Sequence, residues 1–476
     1  MGPIQAQIVV GLGFGDEGKG TTVDFLARQH SRPLIVKFTG SHQAAHNVVD
    51  ERGRAFCFSQ FGAGMLVPGA ETHIDSGALV ELEALAREAE FLEKMGVQDP
   101  LSKMSIHPGC ILVLPWHKLI NRIREMSRGA RPFGSCGCGV GEAVRQAQLG
   151  HAMNIYDTRE KKFGSRLQAQ AERLYGIAAE LMGNHPSKEM KECFYYFLER
   201  SPASVCQKYR EVMRRLQLKQ TRTRFSEARS DGQHIIFEGA QGALLDYRHG
   251  FFPYVTKTRT TVDVAEKVLK DADLSDNQIQ RIGVMRAYGH RHGAGPFITE
   301  DVSLDGALSD QRNPTNRWQG AFRVGWFDLV AIRYGLLTAE SLDVISLTGL
   351  DRLSGMKTVR VGTSYSYHGK EESLLSRYFS WDRPSGIAGS AIRIKAFYPP
   401  ENDRPPEDST LARLLADCTP FEWREFPGWS ELIDQVRRFE DLPANAQAYV
   451  NFLEEALNTS ISIISVGERS DQKICR

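Results

Sequence analysis

The sequence predicts an α/β protein, a single large domain built around a central, mostly parallel mixed β-sheet with flanking helices. Short apolar runs at residues 8–10, 34–38, 234–238 and 343–347 have the length of buried strands and end in polar or glycine-rich turns. Helical spacing of apolar residues appears between several of these runs. Strands that alternate with helices form parallel sheets, whose ligands gather at the carboxyl ends of the strands. We therefore expect a binding site at that edge.

The first strand leads into a glycine-dense loop, residues 15–21, and then into a helical pattern. This layout places backbone N–H groups and a helix N-terminus around a phosphate, so we predict a P-loop-like phosphate site. Lys19 adds a positive charge, whereas Asp16 repels a phosphate unless it binds a metal ion or takes a proton. The spacing differs from a Walker A loop, and a tight turn without a ligand is the alternative. The phosphate-binding candidates are Gly15, Glu17, Gly18, Gly20 and Thr21.

Composition and charge are those of a soluble globular protein. The chain has 476 residues, 41% of them hydrophobic and 25% charged, with a formal net charge of +1. This balance predicts no attraction to nucleic acid or to membranes. Because we find neither a long apolar segment nor a signal peptide, we expect a cytoplasmic protein. The eight cysteines are expected to be free thiols, with metal binding by the C-x-C pair Cys136 and Cys138 as an alternative.

One domain over residues 1–476 is expected, because the sequence contains no repeat and no long low-complexity linker. Its residues 161–229 form an insertion-like region dense in Lys, Arg and Glu, which we interpret as solvated surface helices. The remaining local predictions are a helix over 78–95, a short strand over 110–115, a helix over 116–126 and an exposed excursion over 399–408.

Polar side chains follow several of the predicted strands. His46 lies after the second strand, which places it near Asp16 at the same edge of the sheet. Gln241 lies in a turn after a strand, where its amide can read the edge of a base. Asp351 follows another strand, where a carboxylate can accept two N–H groups from a guanine edge. A second glycine-rich loop covers residues 133–141, and Arg317 lies in a further loop with Arg323, where arginine forks match carboxylates and phosphates.

Longer motifs resemble one known family. The matching stretches are residues 15–20, 237–246, 249–256, 293–297, 299–300, 325–328, 427–429 and 464–467. Taken together and in this order, they resemble the adenylosuccinate synthetase family over nearly the whole chain. The resemblance implies a homodimeric ligase that joins L-aspartate to IMP through a 6-phosphoryl intermediate. It implies Mg²⁺ and GTP as the co-substrate, with ATP as an alternative.

The resemblance also implies roles for individual residues. Asp16 is the general base that removes the proton from purine N1, and His46 and Lys19 act at the transferred phosphoryl group. The Asp16 carboxylate and the Ala45 carbonyl hold Mg²⁺. The purine-nucleotide candidates are Gln43, Ser135, Cys136, Gln241 and Thr256. The guanine candidates are Asp351 and Gly467, and the amino-acid candidates are Thr315, Arg317 and Arg323.

Several positions depart from the family pattern. The departures are Thr21 for a lysine, Gln43 to His46 for Asn-Ala-Gly-His, residues 134–139 for Gly-Thr-Thr-Gly-Arg-Gly, Gly150 for an arginine that crosses the dimer, residues 315–323 for the arginine-rich loop, and Gly349 for a lysine. The phosphoryl-transfer centre is retained, whereas the parts that bind the amino acid and the 5′-phosphate are altered. Three hypotheses follow: the usual reaction, a same-fold ligase acting on a guanine or deoxy nucleotide or with another amine, and a non-catalytic nucleotide-binding relative.

Overall fold

The computed structural model describes residues 6–129, 133–270, 278–310, 312–384, 391–399 and 407–476. The strands are β1 (Ala6–Gly11), β2 (Pro33–Lys37), β3 (His46–Val49), β4 (Ala55–Phe58), β5 (Glu71–Ile74), β6 (Leu79–Val80), β7 (Met104–Ile106), β8 (Ile111–Leu112), β9 (Gln217–Leu218), β10 (His234–Glu238), β11 (Ile279–Arg286), β12 (Gly289–His292), β13 (Phe322–Gly325), β14 (Phe327–Asp328), β15 (Val344–Thr348), β16 (Thr358–Tyr367), β17 (Phe379–Asp382), β18 (Ile392–Phe397), β19 (Cys418–Pro427), β20 (Ile461–Ser465) and β21 (Lys473–Cys475). The α-helices are α1 (Lys19–Ala27), α2 (Leu82–Lys94), α3 (Pro115–Ser127), α4 (Val140–Gln148), α5 (Phe163–Met182), α6 (Lys188–Leu198), α7 (Pro202–Met213), α8 (Thr221–Ser230), α9 (Val262–Lys270), α10 (Asp305–Leu308), α11 (Leu329–Ala339), α12 (Glu372–Tyr378), α13 (Thr410–Ala416) and α14 (Ala444–Leu457).

A ten-stranded sheet forms the centre of the fold, in the order β21-β20-β15-β11-β1-β10-β2-β5-β7-β9. Every neighbouring pair in it is parallel except β20 and β21, which are antiparallel. The predicted fold class, an α/β protein with a mostly parallel mixed sheet, is confirmed. A smaller sheet of β14, β16, β17, β18 and β19, mostly antiparallel, was not predicted.

Helices cover both faces of the central sheet. Val9 belongs to a hydrophobic cluster on one face, which includes Leu85 of α2 and Leu167 of α5. Ile8 belongs to the opposite cluster, which includes Leu453 of α14. Burial on both faces explains why these strands are continuous apolar runs rather than alternating ones. In the part of the chain that is described, no helix is long and apolar enough to cross a membrane.

Two local predictions differ from the structure. The helix expected from residue 78 begins at Leu82, because residues 79–80 form β6 and the Glu81 side chain caps the helix by accepting hydrogen bonds from the N–H groups of Glu83 and Ala84. The strand expected over 110–115 is limited to β8, which pairs with β6 outside the central sheet. The charged region 161–229 contains the helices α5 to α8 and the edge strand β9. Its helices are not only solvated, because Leu167 of α5 and Tyr209 of α7 belong to the hydrophobic cluster on one face of the central sheet. Residues 400–406 of the expected excursion lie outside the described residues.

A buried histidine makes the stability depend on pH. Burial, followed by the charge of Arg173, lowers the pKa of His117 to about 3, against about 6.5 in an unfolded chain. Protons therefore bind the unfolded state more strongly, and stability falls as the pH drops below 6.5. We expect His117→Asn, whose Oδ1 takes the place of Nδ1 and can still accept the hydrogen bond from Leu114 N, to lose about 2 kcal/mol less than the wild type between pH 7 and pH 5. Urea unfolding at both pH values measures this difference, and equal losses would contradict it.

Candidate functional site

A cavity of about 700 Å³ opens at the carboxyl ends of the central strands β1, β10, β11 and β15. This volume is within the range of small-molecule sites. The structure brings most of the predicted site residues together on its walls. They are Gly15, Asp16, Glu17, Gly18, Lys19, Gly20, Thr21, Gln43, Ala45, His46, Ser135, Cys136, Gln241, Thr256, Asp351 and Gly467. Thr315, Arg317 and Arg323 are not among the lining residues.

The loop between β1 and α1 is held by its own glutamate. The buried Glu17 carboxylate accepts hydrogen bonds from Gly13 N at 3.0 Å and Gly15 N at 2.8 Å, and it lies 2.5 Å from Lys19 Nζ. Gly18 is the N-cap of α1 with a left-handed φ of 96° and no side-chain cap. The first N–H groups of α1 are therefore left without a capping side chain. This arrangement can bind a phosphate.

Asp16 projects into the cavity from a left-handed backbone position with φ 58°. Its side chain is 22% exposed, and its Oδ2 lies 3.8 Å from His292 Nδ1. Burial acts to raise the pKa of this carboxyl. The nearby His292 imidazole, followed by the charges of His290 and Arg286, outweighs burial, so the pKa lies below its ordinary value. At neutral pH the group is an anion that can accept a proton or bind a cation.

A buried ion pair, formed by Lys37 and Glu238, contacts one ring nitrogen of His46. Its Nδ1 contacts Glu238 Oε1 and lies 3.4 Å from Lys37 Nζ, and Lys37 Nζ also lies 3.4 Å from Glu238 Oε1. Burial acts to raise the pKa of Glu238, but Lys37 and His46 lower it to about 2. Burial and the charge of Lys37 lower the pKa of His46 despite Glu238. His46 thus lines the cavity as an oriented imidazole.

Two glutamine side chains in the cavity wall each have an amide oxygen that accepts no hydrogen bond from the protein. Gln241 has a left-handed φ of 57°, and its Oε1 is buried without a hydrogen-bond partner, as is Oε1 of Gln43. Buried acceptors of this kind are normally satisfied, so a ligand with N–H or O–H groups fits here. Ser135 Oγ accepts a hydrogen bond from Asn121 Nδ2 at 2.7 Å, and Thr256 Oγ1 lies 3.2 Å from Thr258 Oγ1.

The C-x-C pair lies at one end of the same cavity. Cys136 lines it, and Cys138 Sγ lies 3.6 Å from the Cys136 carbonyl oxygen. Interaction with the Cys136 thiol lowers the pKa of Cys138 to about 4 despite burial, with a further contribution from His42. Among the described residues, no group of three His, Cys, Asp or Glu side chains could hold a metal ion. The geometry therefore gives no support to the alternative of a metal site at this pair.

At another part of the wall, Asp351 and Gly467 both line the cavity. Burial raises the pKa of Asp351 above its ordinary value. Gly349, which replaces the lysine of the family pattern, has a left-handed φ of 68°, and a Cβ on it would lie 3.1 Å from Tyr288 Cε1. A lysine at this position would be strained and crowded. The local backbone and the Tyr288 ring thus account for the glycine.

The arginines predicted to bind the amino acid are engaged elsewhere. Arg317 Nη2 lies 2.8 Å from Glu189 Oε2 on α6. Arg323 pairs with Glu300 through two nitrogens, with Nε 2.9 Å from Oε1. Thr315 is exposed. The structure therefore does not bring these three residues to the cavity with Asp16.

Sequence reasoning did not place Arg286, Arg291 and His292 on the wall of this cavity. Arg286 ends β11, donates from Nε to the Asp16 carbonyl at 2.7 Å and pairs with Asp310. Its position at the carboxyl end of the strand beside β1 was a usable signal. His292 has a buried Nε2 without a partner, and Arg291 is fully buried with its guanidinium 4.2 Å from the Phe14 ring centroid. Neither His292 nor Arg291 could be placed without knowing the pairing of β12 with β13.

Comparison with known proteins identifies the family. The family model described as adenylosuccinate synthetase matches residues 8–382 and 389–474. The chain belongs to the adenylosuccinate synthetase family. It is 30% identical over 478 residues to the adenylosuccinate synthetase of Carboxydothermus hydrogenoformans, covering 98% of each chain. It is 31% identical to that of Ectopseudomonas mendocina, covering 98% of this chain and 97% of the relative.

Two solved structures have the same fold. Fully ligated adenylosuccinate synthetase from Plasmodium falciparum matches with a TM-score of 0.75 at 20% identity, covering 100% of both chains. Succinoaminodeoxyadenylate synthetase of cyanophage S-2L, bound to dGMP and to dATP as an energy donor, matches with a TM-score of 0.55 at 14% identity, covering 100% of this chain and 96% of that one. The family assignment makes this chain an adenylosuccinate synthetase-type ligase of purine nucleotide biosynthesis that binds GTP.

Proposed function

We propose that this protein joins L-aspartate to IMP at the expense of GTP, through a 6-phosphoryl intermediate, to give adenylosuccinate. The observation that carries the proposal is that Asp16, Lys19 and His46 line one cavity together with the unsatisfied amide of Gln241. A phosphate cradle, an ionised carboxylate and an oriented imidazole around one space are what phosphoryl transfer to a purine oxygen requires. A non-catalytic relative has no need of this combination.

In the proposed reaction the purine 6-oxo group becomes a leaving group. Asp16 takes the proton from purine N1, O6 forms a bond to the γ-phosphorus, and the bond between that phosphorus and the bridging oxygen of GDP breaks. Lys19 and the N–H groups at the start of α1 stabilise charge on the transferred group, and His46 adds to this when the bound phosphates favour its protonated form, which donates from Nε2. The amine then forms a bond to C6 and gives up one N–H proton, which leaves with the phosphate, as the C6–O6 bond breaks. Phosphate leaves with the original O6.

The residues present fit Mg²⁺. Asp16 and Ala45 both line the cavity, and Ala45 is an exposed residue. Mg²⁺ usually takes one or two carboxylates plus phosphates and waters rather than an all-protein cage. We propose that the Asp16 carboxylate and the Ala45 carbonyl hold the ion. When bound, Mg²⁺ neutralises charge on the phosphate oxygens.

One observation favours a second candidate. Arg317 is paired with Glu189 and Arg323 with Glu300, so the arginines expected to bind the two aspartate carboxylates do not line the cavity. A charge-assisted hydrogen bond contributes about 1.5–3 kcal/mol, so their loss would weaken aspartate binding strongly. The second candidate is a ligase of the same type that uses another amine donor or another purine nucleotide, such as a guanine or deoxy nucleotide. For either reaction we propose a homodimer, on the family resemblance alone.

One assay separates these candidates. The purified protein is incubated with GTP or ATP, Mg²⁺, a panel of purine nucleotides and a panel of amino acids, and release of nucleoside diphosphate is followed. We expect turnover that depends on both IMP and aspartate, with GTP as the donor. Turnover only with a guanine or deoxy nucleotide, or only with another amine, supports the second candidate instead. Nucleotide binding without turnover for any pair contradicts both and supports a non-catalytic role.

A further inference from the structure

His46 is fixed in the cavity wall by residues from two other strands. It begins β3, while Lys37 ends β2 and Glu238 ends β10. The side chains of Lys37 and Glu238 are 4% and 0% exposed, and that of His46 is 6% exposed. The Glu238 carboxylate is fully engaged, because Oε1 contacts His46 Nδ1 and Lys37 Nζ while Oε2 accepts a hydrogen bond from Ala63 N at 2.9 Å.

The contacts define which imidazole nitrogen serves the ligand. Nδ1 faces Glu238 Oε1, and since a carboxylate only accepts, Nδ1 is the nitrogen that donates. Lys37 Nζ, 3.4 Å away, pairs with the same carboxylate oxygen. Nε2 has no hydrogen-bond partner among the described residues. On the other side, Gly20 of α1 lies so close that a Cβ there would come within 2.7 Å of His46 Cβ. The backbone and Cβ of His46 are thus packed against α1, the ring is held at Nδ1, and Nε2 is the nitrogen left for a group in the cavity.

We propose that Glu238 is a positioning residue, which fixes the His46 ring so that Nε2 faces the transferred phosphoryl group, and that Lys37 neutralises the buried carboxylate. This inference rests on the proposed function. A carboxylate that holds a histidine through one ring nitrogen and presents the other is a recurrent arrangement at reactive sites. Its absence leaves the imidazole free to rotate, and a misplacement of about 1 Å can reduce a rate by about 10²-fold.

The test must separate positioning from folding. Glu238→Gln leaves Lys37 buried without its anionic partner, so this variant can lose stability for that reason alone. The double variant Glu238→Gln/Lys37→Met removes both charges and should recover most of the melting temperature. We expect both variants to have kcat reduced by about 10²-fold, while KM for either nucleotide stays close to the wild-type value. A double variant with wild-type kcat, or a change confined to KM, would overturn the proposal.

A double-mutant cycle adds a readout that a purely structural role would not produce. If Glu238 acts through His46, adding the double variant to a His46→Asn background causes no further loss of kcat, whereas independent roles give multiplied losses. In the resting protein, NMR should detect a slowly exchanging Nδ1 proton of His46, and this proton should exchange faster and move upfield in the Glu238 variants, because the neutral amide accepts a weaker hydrogen bond than the carboxylate. If the wild type has no turnover with any substrate pair, the proposed function fails, yet this resonance still tests the contact. Its absence in the wild type would overturn the contact and with it the proposal.

Discussion

Asp16→Asn is expected to lower kcat by roughly 10³-fold, the range typical of losing a general base. The nearby His292 imidazole and the charges around Asp16 hold the pKa of its carboxyl below the ordinary value, so the group is a proton acceptor at neutral pH. Asparagine has the same shape but cannot take the proton from N1. It also tolerates the left-handed backbone of this position, at φ 58°, so the loop should keep its conformation.

Steady-state kinetics measure the change in kcat, and calorimetry measures the affinity of the variant for the acceptor nucleotide. Acceptor binding should change little, because the proton is removed only during reaction. Asp231→Asn, the same change at a side chain that is 51% exposed, serves as the control and should leave kcat unchanged. Near-normal turnover of Asp16→Asn would remove Asp16 from the mechanism.

Glu17→Gln should give the largest loss of stability among the cavity variants. Glu17 and Lys19 form an ion pair at 2.5 Å with side chains 1% and 2% exposed. Removing one partner of a buried pair leaves the other charge uncompensated, which costs about 3–5 kcal/mol. The same change loosens the loop that Glu17 ties through Gly13 N and Gly15 N, so turnover should also fall. Chemical unfolding and the initial rate are measured on the same preparation.

A matched control isolates the effect of burial. Glu160 pairs with Arg166 at 3.1 Å, but the two side chains are 42% and 43% exposed. Surface pairs contribute about 0–1 kcal/mol, so Glu160→Gln should change the free energy of unfolding by no more than that. Equal losses for Glu17→Gln and Glu160→Gln would mean that the Glu17 pair does not hold the phosphate loop.

Much of the site could be predicted because its residues lie at the carboxyl ends of parallel strands, which meet at one edge of the sheet. Once residues 8–10 and 34–38 are recognised as strands, the loop at Asp16 and the segment at His46 must lie at the same edge. The glycines at 15 and 18 indicate the loop conformation, since both adopt φ values near 90°. The positions of these residues therefore follow from the local sequence and from the rule that ligands bind at the carboxyl ends of parallel strands.

Other features depend on contacts that local sequence does not encode. The smaller sheet joins β14 to strands from the last third of the chain, and its irregular register weakens the alternating pattern. Arg317 looked like a ligand of the amino acid, yet it reaches Glu189, which lies 128 residues away in sequence. Glu238 lies in the motif at residues 237–246, but it contacts His46, which lies 192 residues away in sequence. Tertiary pairing decides each of these cases.

The central claim is that this cavity transfers a phosphoryl group to the 6-oxo oxygen of a purine nucleotide. The most direct test uses acceptor nucleotide labelled with ¹⁸O at position 6, incubated with unlabelled GTP, Mg²⁺ and the amine donor, with mass analysis of the products. We expect the label to appear in inorganic phosphate, with one ¹⁸O for each molecule of product formed. Release of unlabelled phosphate during product formation would contradict it.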